Sequence, residues 1–290
     1  MPGIAKARPV GQNSLLDIRL TSMPLDAETV RDFYDSPLGD LVRRLIGRVV
    51  RARWAATAGL TVAALGYGSP YLDRFRDTAA RTFALMPARQ GCVKWPESGP
   101  YAVTLVDAEM LPLPDNSVDR LLIAHGLEAA ERPAALLEEV WRVVAPEGRL
   151  LAIVPSRRGV WARVDATPFG QGLPYSKTQL RDLLNDAVFS PVFWGEALFA
   201  PPIARRYVIR SAPTVERIGA AVGLPFAGVH IVEAIKQVHR PVGVHAVSRA
   251  RLATVSPALA PIARRQPGGY PDHASIFAVG ARRTDVLEVP

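Results

Sequence analysis

The chain has 290 residues, 49% of them hydrophobic, which is enough to build one large domain or two small ones around a buried core. It has no run of 18 apolar residues and no continuous apolar segment near residue 1, so we expect a cytoplasmic protein with no membrane partner. Its net charge of +8 comes from dispersed arginines, and its single cysteine, Cys92, excludes an internal disulfide and is expected to be buried or half-buried.

The first part of the chain predicts a loose arm followed by two helices. Residues 1–22 contain Pro, Gly and Asn without periodicity, which is typical of an unstructured arm. A helical cap over about 24–54 then begins with a short helix that Asp26 caps and that ends near Tyr34. Ser36 and Pro37 supply an N-cap and a first-turn proline for a longer amphipathic helix.

From residue 59 the periodicity changes to short apolar runs that alternate with helical segments. The clearest helix covers 133–144 and begins at Pro133. Five apolar runs predict strands that are buried on both faces: 60–65, 81–86, 102–106, 120–124 and 150–155. Strands that alternate with helices indicate an α/β fold with a mostly parallel sheet, and ligands on such sheets bind at the carboxyl ends of the strands.

The second half is less regular. A loop with Trp161, Phe169 and Tyr175 precedes a helix with a capping-box spacing at Ser176. After it we expect a Pro-rich stretch over 193–203, a helix over 214–222 and strands over 230–239 and 274–281, with an unassigned Arg- and Pro-rich segment at 240–272. We favour one domain over 23–290, with a core at about 59–190 and an insertion and last strands at about 190–283.

Gly66 and Gly68 stand where the first buried strand should end and a helix should begin. Glycines at such a point let the backbone turn sharply and approach a ligand closely, with amide N–H groups facing it. The same pair also occurs in plain tight turns that bind nothing.

The most specific pattern is the run from Asp107 to Asp119, DAEMLPLPDNSVD. It resembles a signature of S-adenosylmethionine-dependent methyltransferases of the type 11 group. The later run 138–151 resembles the helix, turn and fifth strand of that family, and 33–39 resembles a segment ahead of its cofactor loop. The resemblance covers about 30–190 and implies a Rossmann-like class I methyltransferase sheet with N-terminal helices and a late insertion before the last strands.

The resemblance implies S-adenosylmethionine as the cofactor and assigns it a set of contacts. The glycine loop would contact the methionine part, Asp107 and Ala108 the adenine, and the loop that begins at His125 would lie near the methyl group. Asp107 in particular would accept a hydrogen bond from the exocyclic amine. The implied cofactor residues are Gly66, Tyr67, Gly68, Asp107, Ala108 and His125.

The sequence departs from the family pattern at three points. Ala64 replaces an acidic residue before the first glycine, and Pro70 replaces a third glycine. The second strand and its end, 81–91, contain no acid to bind the ribose hydroxyls, and a diol without such an acceptor would weaken binding by about 1 to 3 kcal/mol. Glu97 or Glu109 could compensate.

Methyl transfer to an aligned acceptor needs few side chains, because the sulfonium is already activated. A general base is needed only for an acceptor that arrives protonated, and His125 is the best-placed candidate. Tyr175, His230, His239, His245 and His273 are weaker candidates. No His or Cys spacing is typical of a metal site, so we expect no metal.

Three functions remain open. The first is a methyltransferase for a small molecule, with the segment 161–202 as a lid over an apolar acceptor pocket. The second is a degenerate methyltransferase fold that binds a partner protein without catalysis, which the missing acids favour. The third is an RNA methyltransferase that uses the basic stretch 249–265, although the sequence contains no recognisable nucleic-acid motif.

Overall fold

The apolar runs of the sequence are the central strands of one sheet. A computed structural model describes residues 25–237, which lie within one compact unit. Its strands are β1 (Thr61–Gly66), β2 (Arg81–Pro87), β3 (Val103–Val106), β4 (Val118–Ala124), β5 (Val144–Pro155), β6 (Phe189–Ala197) and β7 (Val229–Lys236). Its helices are α1 (Ala27–Asp35), α2 (Pro37–Arg53), α3 (Ser69–Leu72), α4 (Pro133–Val143), α5 (Lys177–Asp186) and α6 (Arg206–Val222).

The seven strands of residues 25–237 follow the order β3-β2-β1-β4-β5-β7-β6. Neighbouring strands from β3 through β5 pair in parallel, whereas β7 is antiparallel to both β5 and β6. The prediction of a mostly parallel α/β sheet is therefore confirmed. The strand order reverses between β1 and β4, because the chain returns from β3 to place β4 beside β1, and a crevice at the carboxyl ends is expected at this point.

Two apolar layers cover the two faces of the sheet. Alternate residues of β1 point to opposite sides, so Val62 and Ala64 join the layer under α1, α2 and α6, while Ala63 and Leu65 join the layer under α4 and α5. All four side chains are completely buried. Burial on both faces explains why the central strands are apolar runs without alternation.

The predicted helix caps are present. The side chain of Asp26 accepts from the Thr29 N–H at 3.0 Å, and Ser36 Oγ accepts from the Gly39 N–H at 3.1 Å. Ser176 and Gln179 form both hydrogen bonds of a capping box at the start of α5. Local sequence signals thus determine where these three helices begin.

Three details differ from the sequence prediction. The Pro-rich stretch predicted at 193–203 begins within the edge strand β6, where the pairing register shifts after Pro191. Helix α6 begins at Arg206 rather than at 214. The predicted start is too late because Pro213, a residue that normally ends a helix, lies inside this one. Cys92 is exposed rather than buried, because it lies in the irregular segment after β2 and not in a strand.

Several predictions fall outside the described residues: the arm at 1–22, the segment 240–272, the strand at 274–281 and the end of the strand at 230–239. Within 25–237, every helix falls short of the length or the apolar character that crossing a bilayer requires.

Candidate cofactor cleft and buried centre

A cleft of about 310 Å³ opens at the carboxyl ends of β2, β3 and β4. We call it the adenosine cleft, after the part of the cofactor that the sequence resemblance would place beside Asp107 and Ala108. Its walls are residues 87–90 after β2, 106–109 after β3, and 126, 129–132 and 136 after β4. Asp107 and Ala108 both line it, as the sequence predicted for residues that would contact an adenine. The cleft lies at the edge of the sheet where ligands of this fold class bind.

Asp107 stands at the exposed rim of the adenosine cleft. One carboxylate oxygen, Oδ1, accepts from the Glu109 N–H at 2.9 Å, so a tight turn fixes the carboxylate. Glu109 also lines the cleft and forms an ion pair with Arg132, whereas Glu97 lines a different cavity. Of the two acids considered as substitutes for the missing ribose ligand, only Glu109 therefore lines the adenosine cleft.

The two glycines of the predicted loop pack against their own chain. Gly66 has φ +83°, and a Cβ added to it would come within 2.3 Å of the Ala124 carbonyl oxygen. A Cβ on Gly68 would come within 2.5 Å of the Ala64 Cβ, which is completely buried beneath it. Tight packing against β4 thus accounts for Gly66 and the return of the loop over Ala64 of β1 accounts for Gly68, and Ala64 offers no polar group to a ligand.

His125 follows β4 directly and is buried, with 2% of its surface exposed. Its backbone has φ +55°, a conformation that non-glycine residues rarely adopt. Its Nε2 lies 3.0 Å from the Tyr34 hydroxyl, which in turn lies 2.9 Å from the Tyr71 hydroxyl. Gln90 also holds the loop by donating its side-chain amide to the His125 carbonyl. Helix α1 therefore covers the position predicted to lie near a reactive methyl group.

Glu128 completes this cluster from the other side of the imidazole. Its Oε1 lies 3.3 Å from His125 Nδ1, yet the direction is too poor for a hydrogen bond, and both carboxylate oxygens are buried without a partner among the described residues. Phe169 packs on the imidazole at 4.8 Å between ring centroids. We call Tyr34, Tyr71, His125, Glu128 and Phe169 the buried centre.

Burial perturbs the tyrosines in and beside the buried centre. Desolvation raises the pKa of Tyr34 and Tyr71 above the usual value of 10.0. Tyr67 stacks on Tyr34 at 5.7 Å, and its pKa rises to about 12, mainly through burial. These phenols stay protonated at neutral pH and serve as hydrogen-bonding groups in an apolar setting.

The weaker candidates separate into two groups. Tyr175 lies near the buried centre, because its hydroxyl donates to the Leu127 carbonyl at 3.2 Å, and burial raises its pKa to about 12. His230 lies on β7 beside Glu196, with its pKa lowered mainly by burial. His239, His245 and His273 are outside the described residues. Among residues 25–237, no three potential ligands come close enough to hold a metal ion.

A second cleft, of about 380 Å³, lies on the other side of α1. We call it the apolar cleft. Phe33 and Leu38 line one wall, and Val164, Pro168 and Pro202 line the others. The Phe33 ring contacts Phe169 edge to face at 6.2 Å between centroids. The inner wall of the apolar cleft is thus one aromatic ring away from His125.

The sequence did not identify Tyr34, Tyr71 or Glu128 as site residues. Tyr34 and His125 are 91 positions apart, and only the docking of α1 on the sheet brings them together. The one available signal was the segment 33–39, whose resemblance to the family includes Tyr34.

Comparison with known proteins agrees with this geometry. A family profile described as a methyltransferase domain matches residues 52–152. Demethylmenaquinone methyltransferase of Chlamydia trachomatis is 28% identical over 135 residues, which are 41% of this chain and 58% of that protein. The ubiquinone/menaquinone biosynthesis C-methyltransferase of Chromobacterium violaceum is 42% identical over 59 residues, which are 20% of this chain and 23% of that protein. The chain thus spans little more than half the length of the first relative.

Solved structures share the fold. A chain in the complex of the Haloferax volcanii Trm112 methyltransferase activator with a methyltransferase superposes with a TM-score of 0.53 at 20% identity, over 73% of this chain and 99% of that one. An S-adenosylmethionine-dependent methyltransferase from Aquifex aeolicus gives 0.50 at 19% identity, with the same coverage.

These findings agree with the predicted resemblance over the part of the chain that they cover. Residues 52–152 match a methyltransferase-domain profile, and the sheet around them has the Rossmann-like class I fold. Methyltransferases of this class take their methyl group from S-adenosylmethionine.

Proposed function

We propose that the chain is an S-adenosylmethionine-dependent methyltransferase that acts on a small apolar acceptor. The observation that supports it best is the adenosine cleft, in which Asp107 and Ala108 meet the carboxyl ends of β2 and β4 inside a matched methyltransferase domain. The volume of about 310 Å³ is within the range of small-molecule sites.

The adenosine cleft fits the nucleoside end of the cofactor. Asp107 keeps Oδ2 available to accept from an exocyclic amine, since its turn uses Oδ1. Small side chains, Ala88 and Ala130, leave room between two walls for a flat base. The end of β2 offers Arg89 where the family has an acid, so a ribose would depend on Glu109, and we expect moderate affinity.

The methyl-bearing end of the cofactor can reach His125 only if Tyr34 on α1 moves. His125 is covered by Tyr34, so a ligand that extends from the adenosine cleft to His125 must displace the Tyr34 side chain. S-adenosylmethionine, when bound, supplies an electrophilic methyl group on a sulfonium. Once Tyr34 withdraws, His125 Nε2 becomes free to accept a proton from an acceptor hydroxyl, and the aromatic surroundings exclude water.

The apolar cleft is our candidate acceptor site. Its lining of Phe33, Leu38, Val164 and Pro168 suits a hydrophobic and preferably flat molecule. The names of the relatives refer to demethylmenaquinone and to the biosynthesis of ubiquinone and menaquinone. A hydroquinone or naphthol ring matches this lining, and its ionisable hydroxyl would reach His125 once the Phe169 ring between them moves aside. The segment 161–202, predicted as a lid, supplies part of the cleft wall.

Calorimetric titration with S-adenosylmethionine and S-adenosylhomocysteine tests the cofactor site. We expect micromolar binding that Asp107→Asn weakens about tenfold, because the amide is a poorer acceptor but preserves the turn. Ala88→Trp should abolish binding by filling the adenosine cleft. Asp182→Asn is the matched control, since Asp182 is exposed on α5 and, among residues 25–237, pairs only with its neighbour Arg181.

A radiolabel transfer assay with hydroquinones, naphthols and polar catechols tests the acceptor class. We expect transfer to the apolar rings and a large increase in KM for them in Phe33→Asn, with cofactor affinity unchanged. Efficient transfer to polar acceptors alone would contradict the assignment of the apolar cleft while leaving the cofactor site intact.

The packing of Gly66 and Gly68 against their own chain also supports a second candidate, a methyltransferase fold that binds a partner without catalysis. It requires that well-folded protein bind neither cofactor form in the titration. If a nucleoside co-purifies with the wild type but not with Ala88→Trp, that result would argue against this second candidate.

A further inference from the structure

Helix α6 exposes an apolar stripe to solvent. Tyr207, Ile218 and Val222 are 70%, 56% and 69% exposed. Their spacings of 11 and 4 residues place them on one side of the helix, because 11 residues make almost exactly three turns. Only Ala212 and Gly219 of this helix are buried, on a neighbouring side of the helix.

A stripe of arginines runs beside the apolar stripe. Arg206, Arg210 and Arg217 are all exposed, and their spacings of 4 and 7 residues align them along α6. Within residues 25–237 none of the three forms an ion pair. The single acid of the helix, Glu216, points inward and accepts hydrogen bonds from the Leu198 and Ala200 N–H groups. The outward charge of α6 is therefore purely positive.

The flanking turns extend the apolar stripe. Ile203 before α6 is 43% exposed, and Leu224 and Phe226 after it are 36% and 58% exposed. The segment 203–226 thus presents six large exposed apolar side chains together with four exposed guanidinium groups, those of Arg205, Arg206, Arg210 and Arg217. Isolated exposed apolar residues are ordinary, but six of them on one helix and its flanking turns indicate a binding surface, although Ser211 and Thr214 separate Tyr207 from the other apolar residues of the helix.

We propose that the outer face of α6, from Ile203 to Phe226, binds the surface of an anionic phospholipid membrane. Apolar side chains would enter the boundary between headgroups and acyl chains, and the arginines would contact lipid phosphates. Charge decides against a second copy of this chain, since a symmetric contact over α6 would gather six arginines with no exposed acid. The apolar stripe decides against nucleic acid, whose phosphates would meet only one edge of the face.

The position of this face suits delivery of an apolar acceptor. Pro202 and Ala204, on either side of Ile203, line the apolar cleft. A membrane bound at α6 would therefore lie next to the opening through which a hydrophobic acceptor would enter. This second step rests on the proposed function, whereas the membrane contact itself needs neither cofactor nor acceptor.

Vesicle flotation of the full chain tests the contact directly. We expect binding to phosphatidylcholine vesicles that contain about a quarter phosphatidylglycerol and little binding to pure phosphatidylcholine. Replacing Arg206, Arg210 and Arg217 together with Gln should weaken binding about a hundredfold. A triple Gln variant of Arg48, Arg81 and Arg181, which are exposed on other elements, removes the same charge and should bind as the wild type does.

The apolar contribution has its own test. Ile218→Ser with Phe226→Ser should weaken binding to the anionic vesicles at least tenfold, whereas Leu173→Ser, at a residue 65% exposed elsewhere, should not. Circular dichroism verifies that each variant is folded. The proposal is overturned if both arginine variants lose binding equally, or if Ile218→Ser instead dissociates a dimer in sedimentation. A cofactor titration that fails while vesicles still bind would contradict the proposed function alone.

Discussion

Tyr34 connects α1 to the buried centre through a single hydroxyl. That hydroxyl lies within hydrogen-bond distance of both His125 Nε2 and the Tyr71 hydroxyl, and all three side chains are buried. Removing it leaves two buried polar groups without a partner, whereas the ring would still fill its space. At this scale one oxygen atom thus links the N-terminal helix to the loop after β4.

We expect Tyr34→Phe to lower the free energy of unfolding by about 1 to 3 kcal/mol at pH 7. The pKa values of Tyr34 and Tyr71 are raised in the folded chain, so their contribution to stability is fully present below pH 10.0 and is lost as the pH rises through the folded values. Above pH 10 the wild type should therefore lose stability more steeply than Tyr34→Phe. Urea unfolding between pH 8 and pH 11 measures both slopes.

Tyr101→Phe provides the comparison for that experiment, because Tyr101 is 69% exposed. It should leave both the stability at pH 7 and its alkaline decline unchanged. If the free energy of unfolding declines equally with pH in the wild type and in Tyr34→Phe, the buried phenol does not cause the loss of stability at alkaline pH.

At the scale of elements, the junction of α1 and α2 depends on one glycine. A Cβ on Gly39 would lie 2.0 Å from the Phe33 carbonyl oxygen and 2.5 Å from the Tyr34 Cα. Gly47, in the same helix, has no atom within 4 Å of the corresponding position. Close packing of the backbone therefore requires a glycine at position 39, whereas there is room for a larger side chain at position 47.

We expect Gly39→Ala to destabilise the chain by about 1 to 3 kcal/mol, since the clash is with backbone that cannot move without opening α1 from α2. Gly47→Ala should stabilise it by about 0.5 to 1 kcal/mol through the lower entropy of the unfolded chain. Thermal unfolding of the two variants measures both effects. A Gly39→Ala variant more stable than the wild type would show that the junction of α1 and α2 is loosely packed.

At the scale of the whole molecule, Glu233 ties early and late parts of the chain together. It is completely buried in β7 and accepts from Arg53 Nε at 2.8 Å and from Trp54 Nε1 at 3.1 Å, both at the end of α2. Arg149 on β5 approaches the same carboxylate at 3.3 Å. The contact joins residues 180 positions apart.

Arg53→Met should cost about 3 kcal/mol, because it keeps the aliphatic packing but removes the main partner of a buried carboxylate. Adding Glu233→Met should recover part of that loss, since the buried charge disappears as well. Arg51→Met, at an exposed site of the same helix, is the control for the loss of a positive charge. A double variant less stable than Arg53→Met would contradict this account.

Much of the architecture could be predicted because it depends on local patterns. Apolar runs such as the one around Leu122 show burial on both faces, and Ser36 and Ser176 show helix starts through short-range hydrogen bonds. Strand β6 was missed because Pro191 and a half-exposed edge position remove both the composition and the alternation of a strand.

The candidate site could be predicted only in part. Asp107 and Ala108 were found through a contiguous motif, and the structure puts both in the adenosine cleft. The cover of Tyr34 over His125 arises from tertiary packing across 91 residues, which no local spacing encodes. The unpartnered carboxylate of Glu128 is likewise a property of its surroundings and not of its neighbours in sequence.

The docking of α1 has a consequence for the time course of ligand entry. The helix is fixed at its start by the hydrogen bond from the Ala27 N–H to the Gln90 carbonyl, at 2.7 Å, and near its end by Tyr34. If ligands reach His125 only when this helix opens, the observed association rate constant should rise with ligand concentration and then level off at the opening rate. Tyr34→Phe should raise that plateau, so a stopped-flow trace would report the motion of α1 itself.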